Sequence, residues 1–490
     1  MLSLRATFQI KYWTALFFGV LFAILVWGIM TLKFRYVMAI SVGIVMISVA
    51  MISIRNIETF IVYALIFNIP FTRFAKYFFN QGRPWSIAVG ITLGLTEVLL
   101  VMAYMVWFSQ IFITQKKPIP KLQKIDYFII LLLLAQAISF VGAPNKALGI
   151  FDIVYNTKHI LIYFFIAHTV KRHHLKWIIA IFVFAIFLES SIAFYERLTG
   201  NVGIGNRKGD ITYSEFGTQY QVYGIEHVIR SEGTTKDSHA LGLYYAMLLP
   251  IPLVFMVTRV LKPPIKIVLA GILVMGTVGL ITTFSRSGWL SFAISSLFAI
   301  VTLIFLWGRH GAIFIPIVIM LIIGILYPQG FQHIYDRLFN APPEILEKRW
   351  ELNYTAFRIW RSNFLFGYGP GNYICALKDP DIAVLGRDDL AVHNAFLYVG
   401  AELGLLGVIA YFGIILAAIV QCVKLVKCRD PMTQGMSLAI LSGLFAYMLD
   451  GITDPMFREL VPYAQLWVYF GLAMALRRLA NKQTLTGIPM

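Results

Sequence analysis

Long apolar runs recur along the chain, each close to the ~20 residues that a helix needs to cross a bilayer, and short polar stretches separate them. They predict spans at about 13–32, 36–54, 57–71, 87–113, 126–143, 156–170, 177–195, 239–258, 266–284, 287–307, 312–328, 393–421, 435–451 and 463–477. The third and sixth are short, so twelve to fourteen spans are expected. The first apolar run follows a basic start, Met1 to Lys11, but it is long and lacks a small-residue cleavage site. It reads as a span and not as a removable signal peptide.

Alternation of the spans gives a test of orientation. With the N-terminus in the cytoplasm, Lys116, Lys117, Lys121 and Lys124, then Lys171, Arg172 and Lys176, then Arg259, Lys262 and Lys266, then Arg309, then Lys424, Lys427 and Arg429, and finally Arg477, Arg478 and Lys482 all fall inside. That is the bias expected of cytoplasmic loops. Lys33, Arg35, Arg73, Lys76 and Arg83 depart from it. Two long polar segments, 196–238 and 328–392, then lie outside, and they carry six and eight of the 24 acidic residues. Loops of that length in an economical bundle are usually functional. No internal repeat or flexible linker is visible. The expected organisation is one polytopic membrane domain over 1–490 with two extracytoplasmic loops.

Composition sharpens the class. Of 490 residues, 59% are hydrophobic and 13% charged, and the mean hydropathy is +0.76. A soluble enzyme would carry about a quarter charged residues. The fold class expected is therefore all-α, a polytopic integral membrane helix bundle whose long extracytoplasmic loop contains short helices. The net charge of +17 would suggest nucleic acid in a soluble domain, but the cytoplasmic Lys/Arg excess accounts for it. Cys375, Cys422 and Cys428 have no metal-ligand spacing, and only Cys375 faces outward, so no intramolecular disulfide is expected there. HExxH, GxSxG, zinc spacings and acidic Mg²⁺ clusters are all missing from the sequence.

Three outward positions carry candidate chemistry. Arg230 and Lys236 lie just ahead of an apolar helix, where basic groups and a helix N-terminus together suit an anion. The ordinary alternative is capping by Asp237 or Ser238, with the cations meeting lipid headgroups. The turn Thr282-Thr283-Phe284-Ser285-Arg286-Ser287-Gly288-Trp289 sets Arg286 at the outer boundary, able to bind phosphate bidentately or to snorkel to lipid. His393 closes the longer loop in Val392-His393-Asn394, where an imidazole can accept a proton or simply act as a cap. Nine residues on, Glu402 reads as a partner for another polar side chain.

Inside the longer loop, Glu347 to Glu351 and Phe357 to Arg361 have the spacing of an amphipathic helix lying on the outer leaflet, and Gly367-Tyr368-Gly369-Pro370-Gly371-Asn372 allows tight turns. The glycines lack the Lys-Ser/Thr of a nucleotide loop. Within the spans, Glu97, Glu189 and Glu402, with His168 as a fourth candidate, keep a proton-coupled transporter or lipid-glycan flippase open as a second class of function.

Arg230-x-x-Gly233 before a span, Ser285-Arg286-Ser287-Gly288-Trp289 at an outer turn, Gly367-x-Gly369-x-Gly371-Asn372, His393-Asn394-x-x-Leu397 and Glu402-x-Gly404-x-x-Gly407 follow one another in an order that resembles the O-antigen ligase and polymerase superfamily. The resemblance covers about residues 225–410. It departs at Asp237-Ser238-His239, where the family often has Asn-Pro or Pro-Asn, and in the additional early spans. It implies a GT-C-like, metal-independent glycosyltransferase without cofactor, inverting, in the bacterial inner membrane with its site toward the periplasm. The implied donor is a glycan on polyprenyl (undecaprenyl) diphosphate, and the implied acceptor is lipid A-core or a growing glycan, as in ligases and polymerases respectively. By the same resemblance Arg230 and Arg286 hold the diphosphate and His393 acts at the acceptor hydroxyl. Lys236, Arg349, Arg361, Asn372 and Asn394 are the accompanying substrate-binding candidates, and Trp350 and Trp360 are expected over the site.

Overall fold

The computed structural model describes residues 57–74, 76–78, 90–113, 115, 118, 120–199, 230–235, 237–316, 335, 343–378, 392–455 and 459–486. The first two expected spans, most of 312–328, most of 196–238, and 328–334, 336–342 and 379–391 of the longer loop lie outside the described residues. In chain order the helices are α1 (Ile57–Phe67), α2 (Leu95–Phe108), α3 (Lys124–Gly142), α4 (Lys146–Thr169), α5 (His174–Thr199), α6 (Ser238–Leu248), α7 (Pro250–Val257), α8 (Pro263–Thr282), α9 (Arg286–Trp307), α10 (Pro343–Ser362), α11 (Tyr373–Leu377), α12 (Ala395–Val426), α13 (Pro431–Gly451) and α14 (Leu460–Thr486). Among the described residues nine helical stretches, one of them α6 with α7, are long and apolar enough to cross a membrane. The chain is an α-helical multi-pass membrane protein.

The chain divides into two compact units, 1–62 with 101–120 and 63–100 with 121–490. In the first, Tyr104 meets Trp107 edge-on and Phe108 packs on Phe112. The second contains α3 to α14. Within it α12 packs along α3 and α13, α14 along α4, and α9 along α6 and α13.

Several element boundaries differ from the hydrophobic pattern for local reasons. The span expected from residue 87 starts as a helix only at Leu95. Gly90 and Gly94 bracket a short strand, β2 (Ile91–Leu93), which pairs antiparallel with β1 (Lys76–Phe78). Glu97 accepts from the Gly94 N–H at 2.8 Å, so the first turn of α2 is capped from inside. Helix α4 begins at Lys146, well ahead of the expected residue 156. Asn145 caps it, and Asp152 and Asn156, which look like a polar end, are held by neighbours within the bundle. Lys158 pairs with Glu97 at 2.9 Å, a cation inside a span that answers one of the acids singled out in the sequence.

Two spans are broken where the sequence makes a straight helix unfavourable. Pro250 lacks an N–H and separates α6 from α7. In α12, Gly404 takes φ 66°, and a Cβ there would lie 2.4 Å from the Leu365 backbone. The interruption frees α12 backbone groups, which the 364–369 segment satisfies: Tyr368 N donates to Ala401 O at 2.8 Å and Leu405 N to Phe364 O at 2.8 Å. The glycine-rich stretch is thereby fastened to the helix that follows His393.

Ends that alternation places on the inner side also meet one another. Arg172 pairs with Asp430 at 2.5 Å, and Arg478 donates to the carbonyls of His168 and Val170.

Candidate active site

Four helix ends converge at one place: the start of α6, the α8–α9 turn, the start of α12 and the end of α13. Close approach of α6 and α9 is permitted by glycine, since a Cβ on Gly288 would lie 2.9 Å from the Gly242 backbone. Asp237 caps α6, accepting from Ala240 N at 2.8 Å, and Ser285 caps α9, accepting from Gly288 N at 3.2 Å. Each cap contributes about 1 kcal/mol and fixes where the next side chain leaves its helix. Between α8 and α9, Phe284 takes φ 51°, a conformation that costs a non-glycine residue energy and that persists here because the Phe284 side chain is buried.

His393 is brought to its partner by its neighbour in sequence. Asn394 caps α12 by accepting from Leu397 N at 3.1 Å, and its amide donates to Ile452 O at 3.3 Å, tying the start of α12 to the end of α13. His393 Nδ1 then lies 3.2 Å from Asp454 Oδ1. An Nδ1–H donated to this carboxylate leaves Nε2 with its lone pair. The other oxygen, Asp454 Oδ2, is 3.7 Å from His239 Nδ1, which also lies 3.4 Å from Ser285 Oγ. Burial alone would raise the Asp454 carboxyl. The His393 contact, the His239 side chain and Arg349 outweigh it and hold the group below the ordinary carboxylate range. Asp454 is ionised at neutral pH.

The cations gather around the same carboxylate. Arg230 donates from Nε to Thr283 O at 3.0 Å, while one of its terminal nitrogens is buried without a protein partner. Burial lowers the Arg230 pKa, Asp237, Glu232 and Asp454 oppose that, and Arg286 adds to it. Arginine stays protonated throughout the physiological range. Arg286 is half-buried at the first position of α9 and has no ion-pair partner among the described residues; the charges that act on it are other cations, Arg349 and Arg230. Arg349, on α10, is also within electrostatic reach of Asp450 and Asp454. Asp450 lies one turn before Asp454, beside Ser287.

Of the residues expected from sequence, the structure brings together Arg230, Arg286, Arg349 and His393. Asn394 is adjacent, with its side chain engaged as a cap and tie. Lys236 lies outside the described residues. Arg361 is exposed near the far end of α10, about 18 Å along the helix from Arg349. Asn372 does not reach the site: it is fully buried, donates to Asn145 O at 3.1 Å and Pro370 O at 2.8 Å, and accepts from Asn145 N at 2.8 Å. It closes the glycine loop against α4. Trp360 packs on Gly400 and stacks with Phe364 at 5.8 Å, whereas Trp350 is 76% exposed. Sequence reasoning missed Asp454, Asp450 and His239. The signal available was alternation, which puts the end of α13 and the start of α6 on the same side as His393.

The O-antigen ligase family model, Wzy_C, matches residues 271–412. Over that segment the chain is similar to the O-antigen ligase superfamily. The match takes in Arg286, Arg349 and His393 and stops short of Arg230, His239 and Asp454 at either end. No curated protein matches the chain. The family is one of membrane glycosyltransferases of the ligase and polymerase type, in polysaccharide biosynthesis.

Proposed function

We propose that the chain transfers a glycan from a polyprenyl diphosphate carrier to an acceptor hydroxyl at the extracytoplasmic face of the bacterial inner membrane, as an O-antigen ligase does. The observation that carries this reading is the convergence of Arg230, Arg286 and Arg349, with one terminal nitrogen of Arg230 buried without a protein partner among the described residues, beside a histidine whose Nδ1 is held by Asp454. Gathered like charges call for an anion, and a diphosphate supplies oxygens for bidentate guanidinium contacts.

The chemistry follows from that arrangement. The acceptor oxygen attacks the anomeric carbon opposite the diphosphate, which inverts the centre. Its proton passes to His393 Nε2, and Asp454 stabilises the imidazolium that results. The bond from the anomeric carbon to the diphosphate oxygen breaks, and the charge left on polyprenyl diphosphate is met by the arginines. No metal is assigned a role. The acceptor proposed is lipid A-core.

The test is transfer by the purified full chain from a polyprenyl-diphosphate glycan to lipid A-core in chelator. Product in chelator supports the reading, and an absolute requirement for a divalent metal overturns the mechanism. Chain extension of the donor itself, without transfer to lipid A-core, would identify a polymerase. Two of the acids behind the flippase reading are engaged within the fold: Glu97 is paired with Lys158, and Glu189 accepts from the Thr234 N–H at 3.0 Å and from its hydroxyl.

A further inference from the structure

A second polar site lies inside the bundle, between α3, α4 and α12. A cavity of about 30 Å³ is lined there by Gln136, Asp152, Asn156, Glu402 and Tyr463, among others. That is room for an ion or a water or two. No basic side chain is among its described lining residues.

The two carboxylates are not equivalent. Glu402 is fully engaged: Oε1 accepts from Tyr398 OH at 2.8 Å and Tyr373 N at 3.0 Å, and Oε2 accepts from Gly371 N at 3.1 Å. Asp152 accepts on Oδ2 from Asn156 at 3.1 Å and Gln136 at 3.3 Å, but Oδ1 has no partner. Because Gln136 turns its amide nitrogen to Asp152, its own Oε1 also has none. Asp152 is 3% exposed and Gln136 1%. Two buried acceptor oxygens lining one cavity, one of them on a carboxylate, are therefore left without a donor, which is unfavourable unless something binds them.

We propose that this cavity binds one monovalent alkali cation, sodium-sized, through Asp152 Oδ1 and Gln136 Oε1. Hard oxygen donors that include one carboxylate oxygen left without a hydrogen-bond donor suit a single positive charge. A multivalent metal would need more anionic ligands, and among the described residues no group of three or more His, Cys, Asp or Glu side chains could hold one. The bound ion would brace α3 against α4, and α12, which begins just after His393, packs along α3. The inference concerns ion binding alone and does not depend on glycan transfer.

The experiment is equilibrium binding of radioactive sodium to the purified full chain in detergent, with choline as the replacing cation, alongside thermal unfolding in each salt. About one saturable sodium per chain is expected, displaced by excess unlabelled sodium, with the unfolding midpoint about 3 °C or more higher in sodium than in choline. Gln136→Leu should weaken binding at least tenfold, and Asp152→Asn should abolish it. Absence of saturable sodium binding by the unaltered chain overturns the proposal even if the variants fail to fold. So does equal binding by well-folded Asp152→Asn. A midpoint that ignores alkali ions but follows pH would show instead that the Asp152 carboxyl carries a proton bonded to Gln136 Oε1, and would equally overturn it.

Discussion

Glu189 and Glu196, near the end of α5, accept N–H groups from the 232–234 turn: Thr234 N at 3.0 Å for the first, Glu232 N at 2.9 Å and Gly233 N at 3.1 Å for the second. Around Asp454, by contrast, three arginines stand close to one another and a terminal nitrogen of Arg230 is left without an acceptor. The first arrangement is complete without a ligand. Each acid is matched by donors that the neighbouring turn supplies, and the result is a fixed loop that carries Arg230 to Thr283. The second is incomplete, because a buried guanidinium nitrogen has no acceptor among the described residues and Arg286 faces other cations, even though Asp454, Asp450 and Asp237 offset part of the repulsion. The difference separates charge that holds the fold from charge that acts on a substrate, although both lie at the same helix ends.

The comparison breaks most sharply at His393. His393→Ala should lower glycan transfer by about 10²- to 10⁴-fold while leaving the unfolding midpoint nearly unchanged, since the side chain is partly exposed and makes one described polar contact. Glu189→Leu should do the reverse, with poor recovery of folded protein, because it strands the Thr234 N–H in a buried turn. If His393→Ala retained transfer, the proton acceptor would lie elsewhere.

Arg230→Ala and Arg286→Ala should each cost about 10²- to 10³-fold in turnover. Lysine in place of either should recover only part of it, because an ammonium cannot make the forked contact of a guanidinium. Kinetics with donors carrying a monophosphate in place of the diphosphate sharpen this, since the variants should then fall closer to the unaltered protein.

Asp454→Asn should come next, with a loss of about 10-fold or more in transfer. Its pH dependence has a definite sign. The folded carboxyl titrates below its ordinary value, so the stability contributed by the Asp454 contacts is present above that value and is lost as pH falls through the lower, folded one. The difference in unfolding midpoint between Asp454→Asn and the unaltered protein should therefore be constant between pH 8 and about pH 5 and shrink only in stronger acid. A difference that vanished already near pH 6 would mean that Asp454 is not held ionised.

Much of the fold was readable because period and length suffice for apolar spans, and Arg230, Arg286 and His393 stood out as charges at span ends. What could not be read was set by partners far away in the sequence. Asp454 follows His393 by 61 residues, and the packing of α12 on α13 with the Asn394 to Ile452 tie brings them together. Asn372 looked like a loop amide open to substrate, yet the Gly369 to Gly371 turn folds it inward onto Asn145. Helix α4 looked short because Asp152 and Asn156 are polar, and burial against Gln136 and Tyr463 is invisible to a hydropathy pattern.

The smallest effects are expected along α10, where one helix samples both kinds of surface. Leu352, Ala356 and Ile359 face inward, and Trp350, Tyr354 and Phe357 are exposed. Arg349 leaves this helix within reach of Arg286 and Asp454, so Arg349→Ala should lower transfer by about 10-fold, less than Arg286 because it adds to a field already made by two cations. Arg361 is exposed and has no such neighbour among the described residues, so Arg361→Ala should change the unfolding free energy by less than about 0.5 kcal/mol and transfer by less than about twofold. The pair is informative because both substitutions remove one arginine from one helix and change the net charge equally. Equal losses would mean that the charge of α10 as a whole, and not its position relative to Asp454, attracts the donor.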